Sequence, residues 1–121
     1  MNISFGWTAQ YLPPHGPKCV TRRLWKSSYF QTWQRAYDKD PSRLHGALNK
    51  QLCYGGSKIG TIQLTCRPYL EPLWKMPFED LEKEGGMAKS VAEFVDRYFE
   101  GDSSQIVAVV RFKFFPNEVS P

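Results

Sequence analysis

The chain has 121 residues, enough for one domain around one core and too few for a Rossmann dehydrogenase, a TIM barrel or a kinase. Hydrophobic residues make up 41% and charged residues 23%; this ordinary globular usage argues against wholesale disorder, and no apolar run approaches the ~18–20 residues of a membrane span. The net charge of +4 conceals an asymmetry: residues 1–67 hold ten Lys/Arg against Asp38 and Asp40, a surplus of +8, while residues 68–121 hold six Lys/Arg against ten Asp/Glu, a balance of −4. A basic half on a small domain suggests an anionic partner, and nucleic acid is the commonest one. The N-terminus lacks the basic region and apolar core of a secretion signal. Cys19, Cys53 and Cys66 have no paired spacing. Together these lead us to expect reduced, buried thiols and a cytoplasmic location, with no disulfide framework, metal site or cofactor.

In chain order, Ile3, Phe5 and Trp7 alternate with Ser4, Gly6 and Thr8, which predicts a short first strand. Pro13, Pro14, Gly16 and Pro17 make a rigid turn. A basic, β-prone run from Lys18 to Trp25 predicts a second strand. Ser27 or Ser28 is positioned to cap a helix over Tyr29 to Tyr37, with Phe30, Trp33 and Tyr37 on its inner face. Residues 38–57, with Pro41, Gly46, Gly55 and Gly56, read as a long insertion-like loop. Lys58 to Leu64 predicts a strand, extended through Arg67 to Leu73. Pro77, Glu79 and Asp80 start a helix that stops near Gly85-Gly86. Ser90 and Glu93 form a capping box for a second helix carrying Val91, Phe94, Val95, Tyr98 and Phe99, ended by Gly101. Ile106 to Phe114 is the clearest strand, with Val110, Phe112 and Phe114 on one face and Val109, Arg111 and Lys113 on the other. The order predicts a single α+β domain over residues 1–121 whose strands close into a small barrel or strongly curved sheet.

Three constellations carry chemistry. Lys18, Arg22 and Arg23 crowd three cations into six residues. Such crowding lowers a lysine pKa, and a neutral lysine can act as a base toward the Thr21 hydroxyl. In an ideal strand, positions 18 and 21 face opposite sides, so Lys18 must belong partly to the Gly-Pro turn to meet Thr21. An anion-binding strand is the competing reading of the same run. Glu84 sits at a helix C-terminus, where the dipole disfavours a carboxylate unless a cation such as Lys18 or Arg23 answers it. Trp25, Lys26, Tyr29 and Arg35 mix aromatic and basic residues, a combination that stacks single-stranded bases and holds phosphates. His15, beside the turn, reads as a solvent-exposed histidine. Gly55-Gly56-Ser57-Lys58 precedes a strand, which discounts it as a phosphate loop.

The basic run resembles the signature of ASCH domains, small relatives of the PUA fold, whose motif has the form G-x-K-x-x-x-x-R; Gly16, Lys18 and Arg23 fill it. The resemblance extends to a glycine-bearing strand (Lys58 to Leu64), a helix ending in Glu84-Gly85, a second helix and a final strand with Phe112-Lys113-Phe114. It implies a β-barrel flanked by helices, with a basic cleft that binds RNA, a nucleotide or a nucleoside. Gly16, Lys18, Arg22, Arg23, Trp25 and Tyr29 are the ligand-binding candidates. Within the family, small bacterial N4-acetylcytidine amidohydrolases look similar at the site. By that likeness Thr21 would be the nucleophile, Lys18 its base and Glu84 the group orienting the lysine. Ribonuclease activity in the same cleft is a further alternative. The chain departs from those compact enzymes by its insertion-like stretch, about residues 26–57.

Overall fold

A computed structural model describes residues 1–117 of the chain. The fold is mixed α+β, a curled sheet of six strands with helices packed against it. Its axis is β6 (Ile106–Pro116), which pairs antiparallel with β2 (Val20–Arg23), β4 (Lys58–Leu64) and β5 (Tyr69–Pro72). β4 pairs with β3 (Leu44–Leu48), and β3 pairs in parallel with β1 (Asn2–Ser4). β1 and β2 are therefore the two ends of the path β1-β3-β4-β6-β2. The Arg23 guanidinium spans those ends, donating from Nη2 to the Ser4 carbonyl at 2.8 Å. The sheet is curled but not closed, and this side-chain bond bridges the seam between its two terminal strands.

The alternation expected of β6 builds two cores. Val110 and Phe112 pack with Ile3, Ile62, Leu64 and Trp33, whereas Val107 and Val109 pack with Val20, Leu73, Phe94 and Val95. A pleated strand sends successive side chains to opposite faces, and burial on both faces explains why Ile106 to Val110 is apolar almost without interruption. α1 (Ser27–Lys39) covers the first core with Phe30 and Trp33, both buried as its spacing predicts, and Tyr37 packs against the same cluster. α2 (Asp80–Lys83) and α3 (Val91–Tyr98) cover the second. Ser90 Oγ accepts from the Glu93 N–H at 3.1 Å, and the Glu93 carboxylate answers by accepting from the Lys89 N–H, one residue before the position a capping box uses. Gly101, in the left-handed region at φ 74°, closes the α3 terminus by donating to Val95 O.

Several expectations are corrected. Residues 38–57 are not one long loop, because β3 lies between β1 and β4 in the sheet. Its Leu-His-Gly-Ala-Leu sequence holds no β-branched residue, and the Asn2 side chain packs in the space a Cβ at Gly46 would take. Trp7 belongs to a 3₁₀ turn over Gly6–Tyr11, not to the first strand. The strand after Leu64 breaks before resuming at Tyr69. Helix α2 is a single turn, and α1 starts after Lys26 without a side-chain cap, so neither Ser27 nor Ser28 serves as one. Cys19 and Cys66 are half-buried and Cys53 is exposed, against the expectation of buried thiols. Among the described residues no helix is long and apolar enough to cross a membrane.

His45 on β3 is buried against the Trp33 ring, with centroids 4.7 Å apart. Burial, the N-terminal amine and Arg43 lower its pKa from 6.5 to about 4. Between those values the unfolded chain binds a proton that the folded chain refuses, so stability is complete above pH 6.5 and falls as pH drops toward about 4. Equilibrium urea unfolding across this window should show a loss on the order of 2–3 kcal/mol assignable to His45. The His45→Phe variant should flatten the profile by that amount. A wild-type profile matching the variant's would contradict the assignment.

Candidate functional site

The Gly16-Lys18 turn and the Glu84-Gly85 turn are both packed around Tyr11. The Lys18 N–H donates to Tyr11 O at 2.9 Å. A Cβ on Gly16 would collide with that same carbonyl, which is why the position is glycine. Gly85 has φ 135° and its α-carbon side rests on the Tyr11 ring, so it too admits no larger residue without strain. The Cys19 N–H donates to Lys83 O at 2.7 Å and fastens the chain entering β2 to the end of α2. Glycine at 16 thus serves the turn; it is not among the residues lining the cleft, contrary to its expected ligand role.

These contacts bury a cluster of charges. Lys18 and Glu84 are each only 2% exposed. Lys18 Nζ donates to Glu84 Oε2 at 3.2 Å, to Glu84 O at 2.8 Å and to Val20 O at 3.2 Å. The ammonium therefore answers both the Glu84 carboxylate and a carbonyl at the C-terminus of α2, where positive charge is favoured. Arg22 donates from Nη1 to Glu84 Oε1 at 3.0 Å and from Nη2 to Asp80 Oδ2 at 2.6 Å and Glu71 Oε1 at 3.1 Å. Arg111 completes the cluster with two bonds to Asp80, at 3.1 and 2.7 Å. Burial alone would raise the Asp80 pKa, but hydrogen bonds from Arg111 and Arg22 outweigh it and hold the carboxyl below its ordinary value. Burial acts the other way on Lys18 and, despite Glu84, lowers its pKa.

The dipole argument for Glu84 thus has its cations in Lys18 and Arg22, where Lys18 or Arg23 was expected. Arg22, a ligand-binding candidate, is tied to the fold by three carboxylates and also lines the cleft. One donor is left over: Arg22 Nε is buried without a partner among the described residues. Arg23 is different. Its Nε donates to Thr21 Oγ1 at 3.0 Å and its Nη2 to Ser4 O, and its guanidinium lies over the Phe5 ring, 5.7 Å from the centroid. Among the described residues it forms no salt bridge.

A cleft of about 280 Å³ opens at this point. Lys18, Thr21, Arg22, Arg23 and Glu84 all line it, and Trp7, Phe94 and Tyr98 form aromatic walls. The Trp7 and Tyr98 rings stand 5.6 Å apart at 32°. Trp7, Thr8 and Tyr98 were missed as lining residues because Trp7 and Thr8 read as strand and Tyr98 as helix core. Only the 56% exposure of Trp7 in the folded chain marks it as available. Trp25 and Tyr29 do not line this cleft; they line a separate, larger cavity that shares Arg23 with it. His15 is exposed and lies outside both linings. Lys18 Nζ makes no hydrogen bond to Thr21, which instead accepts from Arg23. The described residues contain no group of three His, Cys, Asp or Glu side chains arranged to hold a metal.

No protein-family model matches the chain, and neither does any curated protein or solved structure. The chemistry of the cleft is therefore argued from its geometry.

Removing one member of a buried ion pair strands the other, which costs ~3–5 kcal/mol. Glu84→Ala leaves buried Lys18 without a carboxylate and takes one of three from Arg22, and should lower stability by about that much in urea unfolding. Thr21→Ala removes one half-buried hydrogen bond and should cost ~1–2 kcal/mol. A Glu84→Ala loss no larger than that of Thr21→Ala would contradict the cluster's role.

Proposed function

We propose that the chain is an ASCH-like, PUA-related barrel domain whose cleft binds RNA or a nucleotide, a planar base stacking on its aromatic wall and an anionic group meeting Arg23. The single observation that carries this reading is that, of the three cations lining the cleft, Arg23 alone has no carboxylate partner among the described residues. A guanidinium with spare donors suits a phosphate. Trp7 and Tyr98 supply faces for a base, and the unpaired Arg22 Nε–H supplies a donor for a base carbonyl. The surplus of basic residues in the first part of the chain steers such a ligand inward.

Binding ranks ahead of catalysis because of Lys18. An ammonium has three donors, and here all three are engaged by Val20 O, Glu84 O and Glu84 Oε2. Its first role is to hold the cleft's shape. A second reading, amide hydrolysis on a modified nucleoside such as N4-acetylcytidine, has one observation in its favour: Thr21, Lys18 and Glu84 line the same cleft, and burial lowers the lysine pKa. In that reaction neutral Lys18 would take the Thr21 hydroxyl proton as Oγ attacks the acyl carbon. The proton would pass to the departing amine, and water would then free the acetyl group from Thr21. Lys18 would first have to release one of its present bonds.

Fluorescence anisotropy with a labelled single-stranded RNA tests the binding reading. Affinity should fall between about 50 and 200 mM salt, and Arg23→Gln should weaken binding and reduce the log–log salt slope by ~0.7, the value of one phosphate contact. No binding at low salt, or a variant slope equal to wild type, would contradict it. Chromatography of N4-acetylcytidine reactions tests the second reading. It requires cytidine release by wild type and none by Thr21→Ala, and turnover that survives the substitution refutes the nucleophile.

A further inference from the structure

The larger cavity, about 670 Å³, shares Arg23 with the cleft. The same residue lines both, so a group bound to Arg23 can connect ligands in each. Among the described residues no acidic side chain lines the larger cavity, and Lys26 adds a second cation. Trp25 and Tyr29 contribute aromatic surface. Trp25 is held in place by stacking on buried Trp33, with centroids 5.6 Å apart at 17°, and by the edge of Tyr29 at 4.9 Å. Tyr29 itself is 41% exposed. Asn2, Ser4 and Gln51 add polar groups suited to base edges or a ribose hydroxyl.

From this placement we infer that the ligand is a strand and not a lone nucleoside: the base next to the one in the cleft stacks in the Trp25/Tyr29 cavity, with their linking phosphate on Arg23. The inference rests on the cleft's reading as a nucleotide site and extends it from one nucleotide to at least two. Two features favour it over a second, unrelated ligand. The cavities share Arg23, and the chain at β1 reaches both, Asn2, Ile3 and Ser4 lining the larger cavity and Phe5 the cleft. Arg23 thereby spaces two stacking platforms about a common phosphate site, an arrangement that a single nucleoside leaves half used.

The test compares a cytidine mononucleotide with dinucleoside monophosphates, starting from cytidylyl-cytidine, by calorimetry. The mononucleotide carries a phosphomonoester of about −1.5 to −2 charge at pH 7 and the dinucleoside a diester of lower charge, so a gain in affinity reports the added base and ribose and not added charge. Stacking on an aromatic side chain predicts that the dinucleoside binds roughly ten-fold tighter or more. Tyr29→Ala should bring that ratio down to about three-fold or less. Tyr29 is exposed, so the variant should keep the wild-type melting curve. Equal affinity of the two ligands for wild type would overturn this inference while leaving the cleft reading intact. An undiminished ratio in Tyr29→Ala would overturn the assigned cavity. Binding of neither ligand to folded protein would overturn both this inference and the reading on which it rests.

Discussion

Both oxygens of the Glu84 carboxylate are held by cations from one strand region, Oε2 by Lys18 and Oε1 by Arg22. This contact joins a one-turn helix to β2, and β2 is an end strand of the sheet. Without it, the residues on either side of the cleft would have little to fix their separation. Charges this deeply buried are tolerated only when their partners are well placed, because the desolvation of each ion must be offset. Here the offset comes from a connected set: Lys18, Glu84, Arg22, Asp80 and Arg111, with Glu71 at its margin. The cluster absorbs Lys18 and Arg22 and leaves Arg23 over. The cleft's free positive charge is thus a by-product of how its neighbours are neutralised.

The seam gives that leftover charge its position. A curled sheet that does not fully close presents two edges, and here they are β1 and β2. Arg23 crosses between them through a bond to Ser4 O and contacts the Phe5 ring. Its side chain is therefore preorganised before any ligand arrives, which lowers the entropy lost on binding. Thr21, two residues earlier on the same strand face, shares the constraint because its hydroxyl accepts from Arg23 Nε.

Much of this was legible in the sequence wherever the signal was local. The alternation of β6, the inner face of α1 and the Ser90 start of α3 each depend on residues a few positions apart, and each forms as its pattern predicts. The G-x-K turn and the step at Glu84-Gly85 were legible as turns, and the suspicion that Glu84 needed a cation followed from the helix dipole. Of its two partners, Lys18 was among the expected cations, whereas Arg22 was not, since nothing local tells which of two adjacent arginines turns toward a carboxylate 62 residues away along the chain. β3 was missed for a different reason. Its leucines, histidine, glycine and alanine carry little strand propensity, and tertiary pairing on both edges decides their conformation. The cysteines were misjudged because apolar character alone does not place a small side chain inside. The division of the aromatic and basic residues between two cavities that share Arg23 depends on the curl of the sheet, which no local pattern encodes.

The most direct test of the central claim is a titration of isotopically labelled protein with a cytidine mononucleotide, followed by NMR. The account predicts that the largest shifts fall on the Thr21 and Arg23 amides, the Arg23 Nε–H and the Trp7 indole N–H. Shifts concentrated elsewhere on the fold, or none at millimolar nucleotide, would contradict it.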